Sequence, residues 1–426
     1  MEVPQSTPAA PEGRGALRKK WQWIVAILIG VLPNLRLLLT VVFRLDSKPG
    51  SRRDFAWIYM AGRSWLSGHS PYDLVSLSLL RFQQDWGGTP PIFWGLHDVT
   101  LPFVYPPHWA ILAIPAALLP FTVATAIWDV VGFAAFLGLC ALCCRLTLRR
   151  EPRFSRPLLV AGVGLCALNG GAMWSLGDCQ MDVVPLLAVA GALVVAPQPK
   201  RTGLLALLSF VALLKPQIAA PALAYLFLRE GRKGVTLGAL AAGLVSVLAM
   251  APSGLAAFPR QLLASTHAHE AQPFNSPQSF FNVAVLLDRL SPGNWALSAS
   301  SLLGVACAVA LALVEPFASA SSLTDPLWRL SVLMAVSVAF FPQHGYGFVA
   351  YTPILILALQ IRPRWAAAGV VLLAMLASHT KQIPLIKSWP LAAPLVCLGV
   401  LAGLLYSVQR TARVPGLAAA TAQAAP

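Results

Sequence analysis

The chain is poor in charged residues, and acidic residues are the scarcest of them. Asp, Glu, Lys and Arg make up 11% of its 426 residues, whereas hydrophobic residues make up 57%. A soluble domain carries roughly a quarter charged residues, so the composition argues against a soluble protein. A transmembrane helix needs about 20 predominantly apolar residues. The composition therefore predicts an all-α, polytopic integral membrane protein.

The sequence also lacks the patterns of several other functions. It contains no Gly-rich phosphate loop and no Asp-x-Asp element of nucleotide-sugar enzymes, which disfavours a cytoplasmic nucleotide-sugar donor. Its seven cysteines lie mostly in apolar runs, where free thiols pack as small hydrophobic groups. His267, His269 and Glu270 are metal-binding residue types, but no further ligand follows at a suitable spacing. We expect neither a metal nor a cofactor.

The formal charge of +15 comes from short basic clusters between the apolar runs. The basic residues do not form a patch with interleaved aromatic residues, so we do not expect nucleic-acid binding. Their placement follows the rule that cytoplasmic loops are rich in Lys and Arg. Both termini are therefore predicted to be cytoplasmic, with residues 1–20 as an N-terminal tail and 411–426 as a disordered C-terminal tail.

The apolar runs predict roughly 10 to 13 transmembrane helices within a single domain of residues 21–410. They lie at 21–43, 104–120, 122–146, 157–176, 181–197, 202–228, 234–251, 297–316, 327–342, 346–361, 365–380 and 389–408. One crossing per run would put the basic cluster Arg149–Arg156 outside, against the charge rule. Either the run 104–120 is short or re-entrant, or the run 202–228 is a helix pair broken at Lys215-Pro216.

Two polar stretches, 44–103 and 252–296, are long enough to hold structure. With the N-terminus inside, the first is an extracytoplasmic loop, and it contains Asp54 among Trp and Tyr residues. An acidic residue near a bilayer surface in so apolar a chain is a candidate for chemistry. The spacing Ser51-x-x-Asp54 also fits a capping box, in which Asp54 would only close a helix start.

Five segments, taken in order, resemble a known family. They are DFAWIYMAGRSWLSGHSPYD (54–73), VYPPHWAILAIPAALLPF (104–121), SLGDCQMDVVPLLAVAGAL (175–193), LLKPQIAAPALAYLFLREGRK (213–233) and FFPQHGYGFVAYTPIL (340–355). Their order and spacing resemble glycosyltransferase family 87 (the DUF2029 group) of the GT-C superfamily, which includes polyprenol-phosphate-dependent mannosyltransferases. The resemblance implies a GT-C-like helical bundle with a large first extracytoplasmic loop. It also implies inverting transfer of a hexose, most often mannose in this family, from a polyprenyl phosphate to an acceptor hydroxyl.

The resemblance assigns Asp54 as the general base that deprotonates this hydroxyl. Lys215 and His344 become candidate contacts to the donor phosphate or sugar. Two structural alternatives stay open: Lys215 snorkels to an interface, or His344 is a packed, hydrogen-bonded histidine. Around His344 the chain reads Phe-Pro-Gln-His-Gly-Tyr where the family usually has Ser-Pro and a Trp.

Three weaker candidates complete the predicted site. Gln180 matches the family's Gly-Gln element, but Asp178 and Cys179 intervene, so Asp178 or Asp182 is an alternative lining residue. Arg63 is a candidate substrate contact, although loop arginines usually meet solvent or lipid headgroups. Tyr105, in a Tyr-Pro-Pro sequence at the start of an apolar run, is expected to shape the cavity.

The predicted partners are the polyprenyl-phosphate sugar, a glycolipid or glycan acceptor, and membrane lipids. The predicted location is the cell membrane, with the site facing the extracytoplasmic side. The alternative is a lipid or solute transporter or flippase without covalent chemistry, which predicts paired halves; no internal repeat is evident. A structural component of an envelope-assembly complex is a third possibility.

Overall fold

The computed structural model describes residues 12–42, 53–72, 103, 105–270, 280–314, 325–342, 344–361, 364–379 and 391–412. Every regular element within these ranges is helical, which confirms the all-α prediction. The helices are α1 (Glu12–Val42), α2 (Arg53–Leu66), α3 (His108–Leu112), α4 (Ile114–Ala117), α5 (Phe121–Arg150), α6 (Arg156–Leu168), α7 (Gly170–Gly177), α8 (Val183–Val195), α9 (Thr202–Ala212), α10 (Pro216–Leu228), α11 (Arg232–Ala249), α12 (Phe258–Glu270), α13 (Ala284–Leu290), α14 (Trp295–Val314), α15 (Pro326–Phe340), α16 (Thr352–Ala358), α17 (Arg364–Ser378) and α18 (Ala392–Ala412). Short 3₁₀ helices cover Pro199–Arg201, Ala251–Ser253 and Gly345–Tyr351.

Four of these helices are long and apolar enough to cross a membrane: α1, α5, α11 together with the turn after it, and α14. The pair α6 and α7, bent by 59°, makes a fifth such span if it is counted as one. In α1, α11 and α14 only 22 to 28% of the apolar window is buried inside the protein. Their remaining apolar surface faces outward, as lipid-facing helices require. These helices confirm a polytopic membrane protein.

One end of the helical bundle is basic. An ion pair of 3.1 Å between Arg150 and Asp325 joins the end of α5 to the start of α15. A second, of 3.4 Å between Arg329 and Glu230, joins the first turn of α15 to the end of α10. Exposed basic residues surround these pairs: Arg149, Arg153, Arg156, Lys200, Arg201, Arg229, Arg232 and Lys233. We call this the basic end.

The run 202–228 folds back on itself. Its second half, α10, ends beside the start of α9, because Gly231 and Gly234 pack against Leu205 in the first turns of α9. The helices α9 and α10 are thus antiparallel and meet at Lys215, far from the basic end. The run 104–120 forms only the short helices α3 and α4, of five and four residues. Both alternatives raised by the sequence are therefore realised, and the cluster Arg149–Arg156 falls at the basic end.

The centre of the bundle is α15. Every residue from Leu327 to Ala339 in this helix is buried, whichever face it occupies. A helix that is apolar all round is stable only when it is enclosed by others. The chain leaves the end of α15 opposite the basic end, where Phe341 is followed by the 3₁₀ helix Gly345–Tyr351.

Candidate active site

Asp54 lies in the first turn of α2, a helix fixed by aromatic packing. Phe55 stacks on Trp128 of α5 with ring centroids 5.7 Å apart. The hydroxyl of Tyr59 donates a 2.7 Å hydrogen bond to the carbonyl of Leu119. These contacts hold the helix, and Asp54 is half-buried at its start, where the helix dipole favours a carboxylate. The proposed cap at Ser51 lies outside the described residues.

Tyr105 connects the helix of Asp54 to Lys215. Its ring packs edge-on against Trp57, 6.5 Å between centroids, one turn after Asp54 on the same face of α2. Burial raises the pKa of the Tyr105 phenol, and the nearby Asp54 carboxylate raises it further. The Lys215 ammonium lies 5.9 Å from the centroid of the Tyr105 ring.

The short helix α3 holds Tyr105 close to Lys215. The indole nitrogen of Trp109, on α3, donates a 2.8 Å hydrogen bond to the carbonyl of Leu214. Trp109 and Leu214 are both buried, so this bond is shielded from water. Since Leu214 directly precedes Lys215, α3 and the junction of α9 and α10 form one rigid unit.

Lys215 is the last residue before α10, and its side chain points into the protein. Pro216 takes the first position of α10, where a missing N–H costs nothing. The side chain of Lys215 is only 7% exposed, and its Nζ lies 2.5 Å from Oδ1 of the fully buried Asp182. Lys215 therefore lies inside the protein, rather than at an interface.

Asp182 belongs to the turn between α7 and α8, which is the altered Gly-Gln element. Cys179 in this turn has a φ of 55°, a left-handed conformation that is uncommon for a residue other than glycine. Its thiol donates a 3.0 Å hydrogen bond to Asp129 of α5, which holds the turn in place. Gln180 is buried, and its side-chain oxygen accepts no hydrogen bond within the described part of the chain. A residue held in a sparsely populated backbone conformation, as Cys179 is, often marks a functional site.

His344 and Tyr346 complete the cluster from the segment after α15. The Tyr346 ring centroid lies 4.8 Å from Lys215 Nζ and 5.5 Å from the ring of His344. Burial raises the pKa of the Tyr346 phenol, and the carboxylates of Asp54 and Asp182 raise it further. Tyr346 therefore stands among the predicted base, the predicted phosphate contact and the predicted histidine.

The structure thus brings together most of the predicted site residues. Tyr105, Lys215 and His344 are linked through ring contacts with one another or with Tyr346. Asp54 is linked to them because its carboxylate adds to the effect of burial on the pKa of Tyr105 and Tyr346. Gln180 lies in the turn that carries Asp182. Arg63 does not join them: nine residues after Asp54, it projects from the opposite side of α2. There its guanidinium packs on Tyr59, 5.6 Å from the ring centroid.

The sequence interpretation underrated two residues of this cluster. The sequence indicates Asp182 only as an alternative to Gln180, and it indicates no role for Tyr346 in the segment PQHGYG. The available signal for Asp182 was a carboxylate directly before the apolar run of α8, where an unpaired charge is costly. In the ranges described, no three His, Cys, Asp or Glu side chains come together in a way that could hold a metal ion.

Comparison with known proteins identifies the family. The family model of glycosyltransferase family 87 matches residues 103–342, more than half of the chain. The matched region contains Tyr105, Gln180, Asp182 and Lys215, and Asp54 precedes it. No curated protein and no solved structure matches the chain. On the strength of the family match, the chain belongs to glycosyltransferase family 87, and it is a membrane glycosyltransferase.

Proposed function

We propose that this protein transfers a hexose from a polyprenyl phosphate to an acceptor hydroxyl at the cluster around Tyr346. The observation that carries the proposal is that residues distant in sequence meet at two tyrosines. Lys215 contacts the rings of Tyr105 and Tyr346, and His344 packs against Tyr346. The Asp54 carboxylate adds to the rise that burial causes in the pKa of both tyrosines. A half-buried carboxylate and a buried ammonium near the same pair of tyrosines supply both a base and a charge for a leaving phosphate. Mannose is the sugar proposed, from the family resemblance alone.

The proposed reaction is a single inverting displacement. The acceptor oxygen forms a bond to the anomeric carbon while Asp54 takes the hydroxyl proton, and the bond from that carbon to the phosphate oxygen breaks. The electron pair leaves with the lipid phosphate. Negative charge thus moves from Asp54, which becomes neutral, to the phosphate, which gains a second charge. In this proposal Lys215, with His344, stabilises that charge as it develops.

The proposed orientation puts this cluster on the extracytoplasmic side and the basic end in the cytoplasm. Helix α10 leads from Lys215 to Leu228 beside the basic end, a distance of roughly 20 Å at 1.5 Å per residue. The cluster and the basic residues therefore lie at opposite ends of the bundle. Lys- and Arg-rich ends are characteristically cytoplasmic, which supports this orientation.

The proposal is tested with purified protein and a panel of radiolabelled polyprenyl-phosphate sugars. Asp54→Asn keeps the shape of the side chain and removes the base, and we expect transfer to fall by roughly 10²- to 10⁴-fold. The matched control is Asp325→Asn at the basic end. Asp325 caps α15 by accepting from the backbone N–H of Leu327, and Asn caps a helix equally well, so transfer should persist.

Two results would contradict the proposal. Undiminished transfer by Asp54→Asn would remove the role of Asp54 as base. If the wild-type protein transfers no lipid-linked sugar but moves lipid across vesicle membranes, the flippase alternative replaces the enzyme.

A further inference from the structure

A fully buried ion pair lies in the candidate active site, and the reaction above uses only one of its members. The side chains of Lys215 and Asp182 are 7% and 0% exposed, with 2.5 Å between Nζ and Oδ1. Replacing a buried ion pair by packed apolar side chains is often neutral or stabilising. Stability alone therefore does not explain why a chain so poor in charge keeps this pair.

Asp182 does not perform the structural task usual at its position. It directly precedes α8, where an aspartate commonly caps the helix by accepting from its first N–H groups. The Asp182 side chain makes no such bond. In the described part of the chain, neither of its oxygens accepts a hydrogen bond of good geometry from any other group. The carboxylate is directed at the ammonium of Lys215 instead.

Lys215 needs a partner to hold its ammonium in one place. A lysine carries a point charge on a flexible four-carbon stem, so packing alone defines its position poorly. Three groups surround the ammonium: the Asp182 carboxylate, the Tyr346 ring at 4.8 Å and the Tyr105 ring at 5.9 Å. Asp182 is the charged member of this set and the closest to Nζ.

We propose that Asp182 is a positioning residue, which holds the Lys215 ammonium against the two tyrosine rings so that it faces the departing lipid phosphate. This inference rests on the proposed function. Asp182 acts through Lys215 and need not touch the substrate. A purely structural alternative is that the pair only fastens the start of α8 to the end of α9, and the experiment must separate the two.

The experiment measures steady-state kinetics of Asp182→Asn with the lipid-linked donor and the acceptor varied separately. A charge-assisted contact is worth about 1.5 to 3 kcal/mol, equivalent to roughly 10- to 100-fold in binding. We expect kcat/KM for the donor to fall about tenfold or more, while the KM for the acceptor stays unchanged. In a Lys215→Met background, adding Asp182→Asn should change kcat/KM for the donor no further, because the ammonium is already gone.

The matched control is Glu230→Gln, which breaks the Arg329–Glu230 pair at the opposite end of α10. The Arg329 side chain is 7% exposed, the same as that of Lys215. Glu230→Gln is therefore expected to lower thermal stability and to leave kcat/KM for the donor at the wild-type value. If Asp182→Asn does not fold, the comparison of Lys215→Met with the double variant, together with Asp182→Glu, provides the same test.

Several outcomes would overturn the inference. A wild-type kcat/KM for the donor in Asp182→Asn rejects it, and so does a parallel rise of both KM values together with lost stability, which is the signature of a structural fastening. An additive effect of Asp182→Asn in the Lys215→Met background also rejects it. If transfer by the wild type is established and depends on Asp54, these results reject the role of Asp182 alone; if the wild type transfers no sugar, the proposed function fails as well.

Discussion

At the scale of single residues, Gly345 controls how His344 and Tyr346 reach the site. A methyl group at this position would lie 2.2 Å from a ring carbon of Trp174 on α7. Non-bonded carbon atoms prefer separations of about 3.5 to 4.0 Å, so a side chain fits here only if the indole ring or the segment that carries His344 and Tyr346 moves. The absence of a Cβ lets the segment lie directly against the indole ring, with a site residue on each side.

We therefore predict that Gly345→Ala impairs transfer although it adds only one carbon. Moving a catalytic group by about 1 Å can cost on the order of 10²-fold in rate. The measurement is kcat/KM for the donor alongside thermal unfolding. Gly369→Ala on α17 is the control: no atom lies within 4 Å of its added methyl group, so its activity should remain that of the wild type. Equal activity in the two variants would refute the prediction.

Some site residues could be predicted from the sequence and others could not, because an isolated charge stands out in an apolar chain whereas an aromatic residue does not. Asp54 and Lys215 were found because a charge in an apolar chain needs a specific reason, whether or not a family is known. Tyr346 was missed because a tyrosine near a helix end is common, and only the fold shows which ring meets the ammonium. Arg63 is a candidate substrate contact when its stretch is taken as a loop, but the helical period of α2 puts it on the side opposite Asp54.

At the scale of elements, α1 is held to α6 by the close approach of their backbones. A methyl group on Gly164 would come within 2 Å of the carbonyl oxygen of Ile29, and one on Gly30 within about 2.5 Å of that of Val160. The side-chain amide of Asn34 on α1 donates a 3.5 Å hydrogen bond to the carbonyl of Val163 on α6. Small residues permit this packing between membrane helices, where no hydrophobic force draws helices together.

We predict that Gly164→Ala destabilises the protein by about 1 to 3 kcal/mol, the usual cost of overpacking. The obstacle is backbone, which a side-chain rotation cannot relieve. The measurement is thermal unfolding in detergent. Gly243→Ala on α11, whose added methyl group meets nothing within 4 Å, should be neutral or slightly stabilising because alanine favours helix. A loss of stability in both variants alike would show that the helix packing is not the cause.

The elements also show what an apolar run can and cannot predict. Hydropathy located the helices of the apolar runs, since apolar length is what it measures. It gave no sign of α2, α12 and α13, which lie in the two polar stretches. It could not tell a crossing from a hairpin: α9 and α10 form one apolar run, and the direction reverses at Lys215. Gly231, after α10, packs against Leu205 in the first turns of α9. This contact between residues distant in sequence shows that α10 runs back beside α9.

At the scale of the whole molecule, the separation of the basic end from the candidate active site predicts a defined orientation. A cysteine introduced at the exposed Arg153 should react with a membrane-impermeant thiol reagent only in inverted vesicles. A cysteine at the exposed Ser67, after α2, should react in intact cells. The background replaces Cys144 and Cys307, the two half-buried thiols, since the other five are buried. The opposite labelling pattern would place the site in the cytoplasm.

The antiparallel helices α8, α9 and α10 have 13, 11 and 13 residues. At 1.5 Å per residue they extend roughly 16 to 20 Å, well short of the hydrocarbon thickness of about 30 Å. With their basic ends at one membrane surface, the Asp182–Lys215 pair would be sunk below the other. A lipid-linked donor would then arrive sideways, by diffusion within its own leaflet, and its tail would never need to leave the bilayer. For such an enzyme the relevant donor concentration is a surface density, and its apparent affinity should follow the mole fraction of donor in the membrane.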